Sequence, residues 1–474
     1  MITLTFGEIA RIVGGELQHV DALATTSASP IIDSRKAEPE TFFVALPGER
    51  TDGNDFVGEA IEGGCQWALV TRPTHHPSII VDDALAALTV LARFCREELV
   101  ETTFIGITGS QGKTTTKDLV NHILGSYGPT VSPQGSFNNE IGVPVTILTC
   151  NEETRFCVVE MGARHKGDIS YLCDIAQPDI GVVLVVGSAH LGEFGSEAAI
   201  AETKGELISS LSESGIAILG MYDLYTPHMA DGMPVKVLRF GENQGADIRA
   251  TDIDVREGCA HFDLITPTGR TSVGLRLLGM HQVANALAAA AVATAVGIEI
   301  DGIAAALSTA ESTSRWRMEM QNIGEVLLIN DSYNANPESM AAALRTLALI
   351  AQERGGVSWA FVGKMHELGE SEASDHREIG RLASELGIDN LVSVGTRLYL
   401  DGLDLDMRAG DEITTHYVLT QEEALKFVQF FSKGDAILVK ASRAEHLDEL
   451  AEKLAVQISN KFAFDDQLGG GVEQ

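Results

Sequence analysis

Between Phe104 and Thr116 the chain places an apolar run, Phe104-Ile105-Gly106-Ile107-Thr108, directly before Gly109-Ser110-Gln111-Gly112-Lys113-Thr114-Thr115. A helical pattern then starts near Thr116. Small residues in such a loop let backbone N–H groups converge on one point, and the following helix adds the positive end of its dipole. The chemistry this suits is phosphate binding. Lys113 is placed to reach outer phosphate oxygens, and the Thr114 hydroxyl to ligate Mg²⁺. The general pattern GxxxxGK[ST] is not met in full, because Ile107 stands where its first glycine belongs. A plain strand–turn–helix junction is the alternative. It would leave the order of strand, loop, lysine, hydroxyls and helix to chance.

Other polar residues follow apolar strands in the same way. Glu160 ends the run Phe156-Cys157-Val158-Val159. A carboxylate at the C-terminal edge of a parallel strand faces the ligand crevice. There it would hold Mg²⁺ directly or through water, or simply meet solvent. His190 follows the strand expected at Ile180–Val186; taken alone, such a histidine is more often structural. Lys204 lies in a helical stretch and alone reads as surface. Asn138 and Asn139 form a polar knot at a turn, where turn chemistry is an equal reading. Asn330-Asp331-Ser332-Tyr333-Asn334-Ala335-Asn336-Pro337 crowds five polar side chains at one strand end, although Asn336 or Ser339 would also serve as a helix cap. Lys440-Ala441-Ser442-Arg443 repeats the theme with positive charge.

These residues need strands and helices to converge them. The expected class is α/β in three domains. Residues 1–98 read as a small mixed α/β domain, closing on a helix from Asp83 to Leu99. Residues 99–314 read as a central, phosphate-loop-type, mostly parallel sheet with flanking helices, including an almost pure Ala, Val and Leu helix at Gln282–Val296 that must be buried. Residues 315–474 restart the alternation as a Rossmann-like domain. The 474 residues carry a net charge of −33, distributed as −8, −13 and −12 over those segments. An even surplus of this kind is a solvated surface rather than an interaction tail. It argues against wrapping nucleic acid, which requires phosphate neutralisation. No apolar run of 18 residues marks a membrane span, and the N-terminus lacks a signal-peptide pattern. The six cysteines show no CxxC spacing and read as reduced, mostly buried thiols of a cytoplasmic protein.

Taken together, the motifs resemble the Mur ligases, the ATP-dependent ligases of peptidoglycan precursor synthesis, over nearly the whole chain. Asp33-Ser34-Arg35, Phe43 to Gly48 and Asp52 to Phe56 are similar to the family's UDP-substrate domain. Thr108 to Thr115 matches its own form of the phosphate loop, which accounts for Ile107. Asn138 to Pro144, Ala189-His190-Leu191, Lys204-Gly205-Glu206, Gly279 to Ala286 and Arg317-Met318-Glu319 follow in the family's order. Asp331 to Met340 is most specific for members that add D-alanyl-D-alanine. The Asp-Asn-Pro-Arg run of diaminopimelate-adding relatives is absent.

The resemblance implies a bacterial cytoplasmic enzyme, acting as a monomer. It would use ATP and Mg²⁺ to join D-alanyl-D-alanine to UDP-N-acetylmuramoyl-tripeptide through an acyl phosphate. It implies catalytic roles for Lys113, Glu160, His190 and Lys204. Gly109, Ser110, Gln111, Gly112, Lys113, Thr114 and Thr115 would hold the ATP phosphates with Arg317; Asn285 would contact adenine and Asp331 the ribose. Thr114 and Glu160 would serve one Mg²⁺, and His190 with a carbamylated Lys204 a second. Ser34, Arg35, Asn138, Asn139, Asn334, Asn336, Lys440, Ser442 and Arg443 would contact the other substrates. The chain departs from the family at Trp316, Lys364, Ala441 and the order Gly192-Glu193. A folylpolyglutamate-type ligase would share the ATP machinery but not the Asp33-Ser34-Arg35 domain. A phosphate-loop motor or switch would hydrolyse ATP with no amino-acid substrate.

Overall fold

The computed structural model describes residues 1–48, 51–133, 135–187, 194–403 and 413–469. Three large sheets follow one another along the chain.

The first has five strands in the order Glu16–Gln18, Ser78–Ile80, Ala68–Val70, Thr41–Val44 and Ser29–Ile31, parallel except at the Glu16–Gln18 edge. A small ribbon of Leu4–Thr5 with Thr25–Thr26 stands beside it. Thr5 caps the helix Phe6–Val13 through a reciprocal bond pair with Glu8, and Gly14 ends that helix in the left-handed region. Trp67 is fully buried, stacked 4.1 Å from Phe42. The Asp83 carboxylate accepts from the N–H groups of Leu85 and Ala86 and so starts the helix Ala84–Glu98. Its buried face, Ala84, Ala87, Leu88, Leu91, Ala92 and Cys95, has the helical period. That face packs on the helices Gly142–Ile147 and Asp168–Ala176 of the next segment. The first sheet and one side of the second therefore share a single core.

The central sheet has nine strands. Their order is Gly269–Leu278, Cys259–Thr266, Ile248–Arg256, Lys236–Gly241, Ile216–Gly220, Ile180–Val183, Thr103–Thr108, Phe156–Glu160 and Thr130–Val131. Pairing is parallel from Thr130–Val131 through to Ile248–Arg256, and antiparallel beyond. The helix Gln282–Ala295 lies against this sheet with almost every residue buried. The antiparallel meander at residues 248–278 departs from the expected alternation of strand and helix. Its inner face, Ala260, Phe262 and Leu264, is buried, and its outer face carries Asp, Arg and Thr. That half-solvated alternation belongs to antiparallel strands rather than to the continuous apolar runs of a parallel core.

The third sheet has six strands in the order Glu319–Ile323, Val326–Asn330, Ala436–Lys440, Ser358–Val362, Asn390–Val394 and Thr414–Val418, parallel except for the first pair. Helices Pro337–Arg354 and Glu372–Glu385 pack together on one side, and Leu447–Gly469 covers the other. The fold is mixed α/β with mostly parallel sheets, so the C-terminal strand ends of the second and third sheets are the natural ligand crevices. All six cysteines are free thiols, five of them buried.

Candidate active site

The phosphate loop is set by geometry at its ends. The helix begins at Lys113, three residues ahead of the expected Thr116, so the lysine and both following threonines lie in its first turn. Gly112 has φ +83°, and a Cβ there would fall against the Asn285 side-chain oxygen. Asn285 is held in turn by Gln282, whose Oε1 accepts from Nδ2 at 2.8 Å. The loop and the helix Gln282–Ala295 are thus fitted to each other at a position only glycine allows. Lys113 Nζ donates to the Gly109 carbonyl at 2.7 Å. Burial pushes its amine below the ordinary lysine value, Glu160 opposes that shift and Arg317 adds to it.

Below the loop three oxygen donors meet. Thr114 Oγ1 donates to Glu160 Oε2 at 2.9 Å and lies 2.9 Å from the Ser136 hydroxyl. Asn138 Nδ2 donates to the other Glu160 oxygen at 2.9 Å. Glu160 is 1% exposed, and its side-chain bonds are to neutral groups. Among the described residues no group of three or more His, Cys, Asp or Glu side chains could hold a metal alone. The Thr114–Ser136–Glu160 set is instead a single buried carboxylate with hydroxyls. These hard oxygen donors suit Mg²⁺ that keeps water and shares phosphate oxygens. Lys204, on the helix Glu197–Ser209, is buried, and its amine is pushed down to about 7 by burial and by the nearby Lys113 charge. His190 lies outside the described residues.

The third segment reaches into the same place. Arg317 Nη2 donates to the Ser136 hydroxyl at 3.0 Å, and its guanidinium sits 4.1 Å over the Tyr333 ring. Trp316 and Met318, on either side, both hold positive φ, of 62° and 50°. That backbone is costly for bulky residues. Met318 N–H donates to Asp331 Oδ1, and Arg443 lies 4.1 Å over the Trp316 ring. Lys440 is buried and ion-paired to Asp331 Oδ2 at 2.6 Å; it also donates to the Asn334 carbonyl at 2.9 Å. Ser442 is buried and donates to the Ala335 carbonyl at 3.3 Å. Asn336 caps the helix Pro337–Arg354 in a reciprocal pair with Ser339.

One cavity of about 1910 Å³ joins these groups. Its walls include Ser110, Gln111, Gly112, Lys113, Thr114, Thr115, Asn138, Asn139, Glu160, Lys204 and Asn285 from the central segment. Arg317, Asp331, Asn334, Asn336, Lys440, Ser442 and Arg443 line it from the third. Ser34 and Arg35 are not on this wall, which reaches only Ile32; the exposed Arg35 pairs with Asp33 at 2.7 Å. Ser136, Gln282 and Tyr333 were not singled out as site residues from sequence. Ser136 joins Thr114 to Arg317 and sits two residues before Asn138, which was the only hint.

Comparisons with known proteins match this arrangement. Residues 107–293 match the Mur ligase middle domain, and residues 316–443 the Mur ligase, glutamate ligase domain. The Mycobacterium tuberculosis UDP-N-acetylmuramoyl-tripeptide–D-alanyl-D-alanine ligase is 38% identical, covering 96% of this chain and 98% of its own. The crystal structure of MurF from Acinetobacter baumannii superposes with a TM-score of 0.83 at 33% identity, covering 96% of this chain and 99% of its own. MurF ligase from Thermotoga maritima, solved in complex with ADP, gives 0.76 at 29% identity over 92% and 99%. Sequence and fold agree across nearly the full length, and the chain belongs to the Mur ligase family.

Proposed function

We propose that the chain joins D-alanyl-D-alanine to the free carboxylate of UDP-N-acetylmuramoyl-tripeptide. ATP is consumed, and the products are UDP-N-acetylmuramoyl-pentapeptide, ADP and phosphate for peptidoglycan synthesis. The observation that carries this reading is the single cavity in which the phosphate loop faces the polar strand ends of the third sheet.

A carboxylate is a poor electrophile, so ATP serves to supply a leaving group. The carboxylate takes the γ-phosphoryl group, and the amine of the dipeptide then attacks the acyl phosphate. Positioning and charge stabilisation are the enzyme's main contributions. Residues 109–115 are assigned to the phosphates, and Lys113 and Arg317 offset charge where two anions meet. Asn285 is assigned to adenine and Asp331 to the ribose. Thr114 and Glu160 would hold Mg²⁺, which supplies further neutralisation of the phosphate oxygens. Burial pushes the Lys204 amine down to about 7, which opens it to carbamylation; the carbamate and His190 are assigned to a second Mg²⁺. Residues 1–98, with Ser34 and Arg35, are assigned to the UDP-sugar, and residues 315–474 to the dipeptide. Asn138, Asn139, Asn334, Asn336, Lys440, Ser442 and Arg443 are assigned to substrate contacts. A single chain suffices, and the cytoplasm, where ATP and nucleotide sugars are made, is the proposed compartment. Among the described residues no helix is long and apolar enough to cross a membrane. Replacing Lys113 by alanine should abolish ATP-dependent ligation while the protein stays folded; normal turnover in that variant would sink the assignment.

A further inference from the structure

The reaction requires a group that frees the attacking amine of its proton, and none is assigned above. The third sheet supplies one. Strands Ser358–Val362 and Ala436–Lys440 are parallel neighbours, so the loops leaving their C-terminal ends emerge side by side at the cavity. One loop carries His366 and the other Glu445, and His366 Nε2 lies 2.6 Å from Glu445 Oε1. An ionised carboxylate only accepts, so in the neutral imidazole the Nε2–H points to Glu445 and Nδ1 is the nitrogen left to accept a proton. No described residue bonds Nδ1.

The loop is fixed from behind. The His366 N–H donates to the Ser442 hydroxyl at 3.0 Å, and the Ser442 N–H to the Lys364 carbonyl at 3.1 Å. Buried His376 accepts the Met365 N–H at 2.9 Å, and the Tyr399 hydroxyl donates to the Gly363 carbonyl at 2.7 Å. Neighbouring charges are already engaged: Lys440 with Asp331, Arg443 with Asp448 and Lys364 with Glu372. His366 is half-buried and stands on the cavity wall.

We propose that His366, oriented by Glu445, is the general base that takes a proton from the ammonium group of the incoming dipeptide. The proposal rests on the ligase reading above. One ammonium proton passes to Nδ1, and the freed lone pair forms the N–C bond at the acyl carbon. The C–O bond to phosphate breaks, and the second proton leaves with the phosphate as hydrogen phosphate. The imidazolium returns its proton to solvent through the open cavity.

The test uses the full chain, its His366→Gln variant and its Glu445→Gln variant, with ATP, Mg²⁺ and UDP-muramoyl-tripeptide. The nucleophile is either D-alanyl-D-alanine or hydroxylamine. Hydroxylamine is unprotonated near neutral pH and needs no base, so hydroxamate reports acyl phosphate formation alone. His366→Gln should form hydroxamate at the wild-type rate and lose ~100-fold in kcat with saturating dipeptide, with KM for the dipeptide unchanged. Glu445→Gln should fall between the two. Wild-type kcat in His366→Gln overturns the proposal, and so does a rise in KM alone. Equal loss of hydroxamate and ligation assigns the residue to structure and overturns it too. A wild-type enzyme that yields no hydroxamate overturns the ligase reading itself, and the proposal with it.

Discussion

Lys204 shows how far a residue's chemistry departs from its local sequence. On its helix it sits among Ala, Glu and Gly, the composition of an exposed face, yet it is 5% exposed. Burial and Lys113 push its amine down to about 7, from 10.5 for a free lysine. Between those two values the unfolded chain binds a proton that the folded chain does not, so stability rises with pH across that window. Below about 7 the folded site must carry the charge, and the cost is at its full value. Lys204→Met should remove this slope and raise stability at pH 7 by roughly 1–3 kcal/mol, while ligation fails. Thermal melts of both proteins from pH 7 to 10, in EDTA and CO₂-depleted buffer, check it. Parallel pH dependence in the two proteins would contradict it. The sequence marked this lysine only through resemblance, because its burial depends on elements far away in the chain. Ser136 and Tyr333 were missed for the same reason: each gains its role from Arg317, more than a dozen residues away in sequence.

At the scale of elements, the phosphate loop was legible because everything it needs is local: an apolar strand, small loop residues and a helix start. Its fit to a second helix was not legible. Gly112 combines φ +83° with close approach to Asn285, and that pairing spans more than 170 residues. Gly112→Ala would place a Cβ in the left-handed region, at a cost of about 1–2 kcal/mol, and would displace Asn285. Affinity for ATP should fall by roughly tenfold, equivalent to about 1.4 kcal/mol; calorimetric titration against a non-hydrolysable ATP analogue reads it. Unchanged affinity would show that the helix Gln282–Ala295 does not need this contact. The meander at residues 248–278 was hidden for another reason. Its alternation breaks at the register shift between Thr251 and Asp254, so the period-2 signal runs through the strand Cys259–Thr266 but not across the whole meander.

Across the whole molecule, the first sheet and the central sheet share a core through the helix Ala84–Glu98, while the third sheet has its own clusters. The cavity lies where the central and third segments face each other, bridged by Arg317 donating to the Ser136 hydroxyl at 3.0 Å. Such an arrangement brings the phosphate loop of the central segment and the polar strand ends of the third to one cavity. The net charge of −33 describes the solvated surface. The cavity wall carries a few basic side chains that this total hides, Lys113, Arg317 and Lys440 among them. Basic side chains set among carboxylates in one cavity suit small phosphorylated substrates, and the acidic surface does not suit a nucleic acid. The most direct test combines ATP, Mg²⁺ and UDP-muramoyl-tripeptide with the purified chain, with and without D-alanyl-D-alanine, and measures phosphate and the sugar-peptide product. Phosphate released in step with UDP-muramoyl-pentapeptide, and only when the dipeptide is present, is the predicted result. ATP hydrolysis indifferent to both substrates, with no pentapeptide formed, would contradict it.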